Sequence, residues 1–288
     1  MFGIGSVGLF TYAPAMPASS PFNPLDMPPR TPTARPESNS VGWSETELAN
    51  PHMNDQKSSK VRGMFTSIAD SYDLNNRLHS LWMDQHWRRA AVRDAAVKAG
   101  DVVADLACGT GDLSMAFAES AAARVMGLDY TAAMLEVARR KSARLSGGAA
   151  GKVTYVEADA HNLPVADGSV DVVSIAFGIR NVTDPARVTR ECARILRAGG
   201  RIVILEFVRP INPVLRWLND VYCGQVMPRT ATLISGDKSG AYKYLPRSVS
   251  TFMEPLAMEE LLRNAGFGGV SSRSLFPGIC RSYRAMKP

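Results

Sequence analysis

Val102-Val103-Ala104-Asp105-Leu106-Ala107-Cys108-Gly109-Thr110-Gly111-Asp112 is an apolar run that closes on a carboxylate and breaks into a turn of small residues. The run predicts a buried strand to Leu106, and the turn opens a helix from Gly111. The first N–H groups of that helix have no partner inside it and face whatever occupies the turn. Gly109 and Gly111 let a ligand lie against bare backbone. A dinucleotide-binding turn would read G-x-G-x-x-G, with a third glycine for close helix packing and a pyrophosphate to neutralise. Here Gly109-x-Gly111 is followed by Asp112, Leu113 and Ser114. The third glycine is missing, and an acid stands where a pyrophosphate would be repelled.

Two more segments repeat the pattern. Val125-Met126-Gly127-Leu128-Asp129 is a second short strand ending on an acid, and Asp129 follows Asp105 by 24 residues. That is the spacing at which a carboxylate takes a ribose hydroxyl pair. Lys152-Val153-Thr154-Tyr155-Val156-Glu157-Ala158-Asp159-Ala160 is a third strand, and Asp159 stands where an adenine amino group needs an acceptor. Singly, each Asp also reads as an ordinary turn or cap residue. In succession, Asp105, Asp129 and Asp159 predict one cleft for a nucleoside. The acid at 112 suits a ligand whose reactive end is cationic, as the sulfonium and ammonium of S-adenosyl-L-methionine are.

Strand and helix alternate over residues 101–208, which predicts a mostly parallel sheet with helices on both faces. The expected elements are a helix from Thr131 to Arg144, a strand Asp171 to Ala176, a helix Pro185 to Leu196 and a strand Arg201 to Phe207. Gly147-Gly148 and Gly199-Gly200 fall where helices should stop. Residues 57–98 read as a helical cap, with Met64, Phe65, Ile68, Ala69 and Tyr72 on one face. Leu78, Leu81, Trp82, Trp87 and Ala91 extend the apolar contacts, while Arg88, Arg89 and Arg93 stay in water. Residues 209–250 interrupt the alternation as a lid-like insertion, with Trp217, Leu218, Val221 and Tyr222 on one face. Around them lies a basic scatter of Arg209, Arg216, Arg229, Lys238, Lys243 and Arg247. A helix Pro255 to Ala265 and strands Gly269 to Ser274 and Arg281 to Met286 end the chain in an antiparallel hairpin.

With 288 residues, 45% of them apolar, the chain has enough material for a real core. Residues 1–50 are proline-rich and aperiodic and are expected to be disordered. Met1 to Leu25 carry no charged side chain, unlike a secretory signal or an organellar transit peptide. No apolar run reaches the ~18 residues of a spanning helix, so any membrane contact is peripheral. Cys108, Cys192, Cys223 and Cys280 form no C-x-x-C pair, which argues for a reducing, cytoplasmic compartment and against a zinc site. His79 and His86 lack a nearby acid and make only a weak metal case, and Cys108 fills a small-residue position. The net charge of +6 does not demand a polyanion, and no basic tract or base-flipping motif points to nucleic acid.

The glycine turn resembles that of Rossmann-like class I methyltransferases, in the variant of the UbiE/MenG family of ubiquinone and menaquinone C-methyltransferases. Met64-Phe65-Thr66-Ser67-Ile68-Ala69-Asp70-Ser71-Tyr72-Asp73-Leu74-Asn75-Asn76 is similar to one family signature. Phe177-Gly178-Ile179-Arg180-Asn181-Val182-Thr183-Asp184 is similar to another. Pro228-Arg229 and Tyr242-Lys243-Tyr244-Leu245 also fit, so the likeness runs from about residue 57 to 286. It implies a seven-stranded sheet with an antiparallel last strand, and S-adenosyl-L-methionine on Thr110, Asp129, Asp159 and Ala160. Two positions depart from the pattern: Ala107 replaces the first glycine, and Ala176 stands where serine is common.

The resemblance further implies methyl transfer to a ring carbon of a prenylated hydroquinone, with demethylmenaquinol as the first expectation. A ubiquinone-series benzoquinol or another phenolic acceptor is the alternative, and a cofactor-binding scaffold subunit is the non-enzymatic one. A ring carbon attacks only when the adjacent oxygen is ionised, yet a phenol titrates near pH ~10. Arg180 is the expected cation beside that oxygen, Asn181 its hydrogen-bonding partner, and Tyr72 a closing residue over the reacting groups. His161 reads as a loop histidine. Residues 214–227 are expected to meet the prenyl tail or an anionic membrane, and a homodimer is compatible with the sequence.

Overall fold

A computed structural model of the protein describes residues 42–237 and 239–288. Residues 1–41 of the expected disordered stretch 1–50, and Lys238 of the basic scatter, lie outside the described residues. The strands are β1 (Val102–Leu106), β2 (Arg124–Asp129), β3 (Val153–Glu157), β4 (Val170–Ala176), β5 (Leu196–Phe207), β6 (Gly268–Leu275) and β7 (Cys280–Met286). They form one sheet in the order β3-β2-β1-β4-β5-β7-β6. β7 is antiparallel to both of its neighbours, and the remaining strands run parallel. The expected α/β architecture with a reversed last strand is therefore present.

The helices are α1 (Glu45–Ala49), α2 (Lys57–Ile68), α3 (Tyr72–His79), α4 (Met83–Asp94), α5 (Asp112–Ala118), α6 (Ala132–Ser142) and α7 (Pro185–Ile195). They continue with α8 (Pro213–Val221), α9 (Met227–Ser235), α10 (Ala241–Ser250) and α11 (Pro255–Asn264). β4 is buried along nearly its whole length because helices cover both faces. One core packs Val188, Cys192 and Ile195 of α7 and Met258 and Leu262 of α11 against Ala104, Ile175 and Ile204. The other packs Trp87 of α4 and Phe117 of α5 against Val103, Val172 and Val203. β-branched residues alternate between these faces, as period-2 side chains must. A third cluster, under the cap, joins Met64 and Ile68 of α2 and the following Ala69 to Met134 of α6 and to Tyr242 and Tyr244 of α10.

Several expectations are corrected. Residues 43–50 are ordered: Ser44 and Glu47 form a reciprocal capping box that starts α1, and Trp43 and Leu48 are buried. Arg88 is buried, because Asp84 one turn earlier on α4 neutralises it at 2.7 Å. Leu81 and Trp82 form a left-handed break between α3 and α4 and point into solvent. β3 ends at Glu157, so Asp159 lies two residues beyond the strand. Gly199 and Gly200 lie inside β5, since the chain leaves α7 directly into the strand. Within the insertion, a π turn at Tyr222–Val226 separates α8 from α9, where Pro228 has no N–H to continue the ladder.

Candidate active site

A cleft of about 870 Å³, counting its open mouth, lies at the carboxyl ends of β1, β2 and β4. A ligand crevice is expected at that end of a parallel sheet. Gly109, Asp129, Asp159 and Ala160 line it, as do Tyr72 and Asn181. Asp129 accepts the Gly109 N–H on Oδ2 and the Thr131 N–H on Oδ1, both at 2.8 Å. Burial pushes its carboxyl above the usual range, while those N–H groups pull it back. The carboxylate lines the cleft, where it can accept from a pair of vicinal hydroxyls.

Asp159 accepts the His161 backbone N–H (2.9 Å) and Nδ1–H (2.6 Å), both on Oδ1. Those bonds hold its carboxyl below the usual range. His161 Nε2 accepts the Asp184 N–H at 3.1 Å, so the ring is neutral with its proton on Nδ1. The histidine therefore ties the loop after β3 to the start of α7. Tyr130, Leu128, Met134 and Leu163 complete this side with apolar surface for a flat base.

Asp105, Thr110 and Gly111 lie beneath this surface and do not line the cleft. Asp105 is buried, with Ser114 Oγ–H and Ser174 Oγ–H each donating to it at 2.6 Å. Burial raises its pKa to about 6 against the pull of those hydroxyls. Thr110 Oγ1 donates to Asp73 Oδ1 at 2.6 Å, which ties the turn to α3. Gly111 has φ +80, and a Cβ there would strike the Tyr155 hydroxyl. The expected convergence of strand-end acids on the ligand thus reduces to Asp129 and Asp159.

Asp112 also departs from its expected role as a free acid facing the turn. Lys141 (2.5 Å) and Arg77 (2.7 Å) pair with it, and Arg77 and Arg88 both reach Asp84. Burial opposes its charge, but Arg88, Lys141 and Arg77 outweigh that and hold the carboxyl at about 2. This network bolts the cap helices to the glycine turn.

The opposite wall is built by the turn after β4. Phe177 has φ +58 and Ala107, facing it, φ +50, both left-handed and strained for residues with a Cβ. Gly178 relieves the crowding, since a Cβ there would come within 2.5 Å of the Ala107 Cβ. The Phe177 carbonyl accepts Arg180 Nη1–H (2.8 Å) and Asn181 Nδ2–H (3.2 Å), which holds the strained turn. Asn181 Oδ1 accepts the Tyr244 hydroxyl at 3.0 Å. Tyr72 stands edge-on to Phe65, and burial raises its phenol pKa.

Arg180 does not present a free cation to the cleft. It is 4% exposed, and its Nη1 pairs with Glu206 Oε1 at 2.6 Å. The ion pair forms because Glu206 closes β5 directly behind the turn. Glu206 was detectable by the same strand-end signal that picked out Asp105 and Asp129. Phe177 and Tyr244 stand in segments that carry the family resemblance, but nothing local marks their roles, a contact across 63 residues and a strained φ.

Residues 53–287 match the ubiE/COQ5 methyltransferase family. The chain belongs to that family. A demethylmenaquinone methyltransferase of Clavibacter sepedonicus is 42% identical over 233 residues, covering 81% of this chain and 92% of the relative. One of Thermus thermophilus is 45% identical over 205 residues, covering 71% and 91%. The ubiquinone/menaquinone biosynthesis C-methyltransferase UbiE of Ectopseudomonas mendocina is 37% identical, covering 81% and 91%. Among solved structures, a SAM-dependent methyltransferase of Thermotoga maritima superposes with a TM-score of 0.56 at 18% identity, covering 79% of this chain and all of that one. It supports the class I methyltransferase fold. The cofactor of this ubiE/COQ5-family enzyme is S-adenosyl-L-methionine, and the apolar base platform with Asp129 and Asp159 fits its adenosine.

Proposed function

We propose that this quinone C-methyltransferase acts on demethylmenaquinol: a C–C bond forms at the ring carbon beside an ionised ring oxygen as the sulfonium–methyl bond breaks, and that carbon then loses its proton to solvent to restore the aromatic ring. The observation that carries the reading is a cleft with two chemically different walls. Asp129, Asp159 and Ala160 suit adenosine on one side, and Tyr72, Phe177 and Asn181 suit a flat phenolic ring on the other. S-adenosyl-L-methionine supplies an electrophilic methyl on its sulfonium. Asn181 has one Nδ2–H committed to Phe177 and a second available for the ring oxygen. Tyr72 and Phe177 give the ring apolar faces and keep water away from the attacking carbon, and orientation then supplies much of the rate. Arg180, through Phe177 and Glu206, acts as a positioning residue for this wall.

The naphthoquinol choice rests on the two relatives above 40% identity, both named demethylmenaquinone methyltransferases. The relative at 37% carries the double name, which keeps a benzoquinol of the ubiquinone series as the second reading. For the prenyl tail, we propose the insertion: Val214, Trp217 and Leu218 of α8 and Leu233 of α9 are at least half exposed. Arg209, Arg216 and Arg229 around them favour a peripheral seat on an anionic bilayer. The deciding experiment supplies methyl-labelled cofactor with demethylmenaquinol or with a demethyl benzoquinol and reads products by mass spectrometry. Label on the naphthoquinol ring is expected. Label only on the benzoquinol moves the enzyme to the ubiquinone series, and label on neither supports a cofactor-binding scaffold.

A further inference from the structure

Lys57 opens α2 and is 2% exposed. Its ammonium donates to the carbonyl oxygens of Arg180 (2.9 Å) and Val182 (2.6 Å), and to His52 Nδ1 at 3.1 Å. His52 Nε2–H donates to the Ser248 carbonyl at 2.9 Å, which leaves Nδ1 as the acceptor of a neutral ring. Three ammonium protons thus meet three uncharged acceptors. Among the described residues no carboxylate pairs with Lys57.

The charges around it balance without it. Arg180 is neutralised by Glu206, which also accepts the Phe207 N–H. Lys60, on the same helix, pairs with Glu47 at 2.9 Å. Tyr244, from α10, is a protonated phenol donating to Asn181, and burial keeps it so. Burial likewise pushes the His52 pKa down, away from a second positive charge. The wall therefore carries one surplus positive charge, bonded to the carbonyls on either side of Asn181. An unpaired buried cation is a large cost to a fold, and a methionine would fill the same space without it. Burial, with the Arg180 charge adding to it, lowers the Lys57 pKa to about 8, so the amine is still mostly protonated at neutral pH.

We propose that Lys57 supplies the positive potential that favours ionisation of the acceptor ring oxygen at Asn181, the part the sequence assigns to Arg180. It touches no reacting atom and acts as a positioning residue through the Arg180–Val182 turn. The inference rests on the quinol reading of the site. A cation within ~4–6 Å lowers the pKa of an acid by on the order of one to three units, and Lys57, set behind the Arg180–Val182 backbone, acts at the low end of that range.

The test uses the full-length protein with S-adenosylhomocysteine and the probe 4-methoxy-1-naphthol, whose anion absorbs at longer wavelength than the neutral form. The bound probe is expected to ionise at least about one pH unit below the free probe in the wild type, a tenfold shift in equilibrium. Lys57→Met should abolish that shift, and Lys57→Arg should retain most of it. In turnover, Lys57→Met should move the acid limb of the kcat profile up by a similar interval while cofactor affinity stays within about twofold, which a purely structural lysine would not do. Should Lys57→Met fail to fold, reciprocity provides a wild-type measurement: the Lys57 pKa, read by NMR of labelled lysine, must be higher in the naphtholate complex than in the complex of the neutral analogue 1,4-dimethoxynaphthalene, by the part of the probe shift that Lys57 supplies. An equal probe shift in Lys57→Met, an unmoved acid limb or an unmoved Lys57 titration overturns the proposal. Wild-type protein that methylates no quinol, yet shifts the probe in step with Lys57, would sink the substrate reading and leave this one standing.

Discussion

Asp105 sits at the most ligand-like position of the sequence and serves the interior instead. Two serine hydroxyls and near-complete burial make it a brace between the glycine turn and β4, with its pKa raised to about 6. In the unfolded chain the same carboxyl titrates near ~3.9, so the native state binds more protons between about pH 4 and pH 6. Its ionisation therefore costs stability as pH rises through that window, and the cost persists above it. Asp105→Asn removes the charge and keeps the shape. Its melting temperature relative to wild type should be more favourable near pH 8 than near pH 5, and a difference independent of pH would contradict the burial argument. Arg180 has the opposite dependence on its partner, for Arg180→Ala leaves Glu206 charged and buried. A loss of about 3–5 kcal/mol in chemical denaturation is expected, as for a broken buried pair, and Arg180→Ala/Glu206→Gln should recover part of it.

At the scale of elements, the short turn Ile179–Asn181 is held by β5 through Glu206, by α2 through Lys57 and by α10 through Tyr244. α10 belongs to the segment read as a lid-like insertion, and its Tyr244 is buried and bonded to the site wall. α8 is amphipathic with no buried residue, and Trp217 is 65% exposed. Vesicles containing phosphatidylglycerol should co-float with the protein, and Trp217→Ser/Leu218→Ser should reduce the bound fraction several-fold without changing melting temperature. Equal binding to neutral vesicles would remove the basic residues from the argument. The strands and α5, α6, α7 and α11 were legible because each carries a clean period and a terminating residue. Residues 43–50 were not, since the proline-rich composition before them hid the capping box at Ser44. Arg88 read as solvated because only the fold brings Asp84, Arg77 and Asp112 around it.

For the whole molecule, the parallel sheet sets the cleft at one end, the cap covers it, α10 of the insertion braces it through Tyr244, and the two walls come from opposite halves of the sheet. Asp129 and Asp159 follow β2 and β3, whereas Phe177 and Asn181 follow β4. The Asp129 and Asp159 wall, proposed for adenosine, was readable because its acids occupy fixed offsets from strands. The acceptor half depends on a left-handed Phe177 and on ion pairs between distant segments, for which local sequence carries no period. The claim on which everything else stands is that one cleft holds adenosine against the first wall and leaves the second for a ring. A crystal structure with S-adenosylhomocysteine tests it most directly. Ribose hydroxyls on the Asp129 carboxylate, adenine beside Asp159 and Ala160, and the sulfur facing Tyr72 and Asn181 are expected. Adenosine bound away from Asp129, or a sulfur facing away from Asn181, would contradict it.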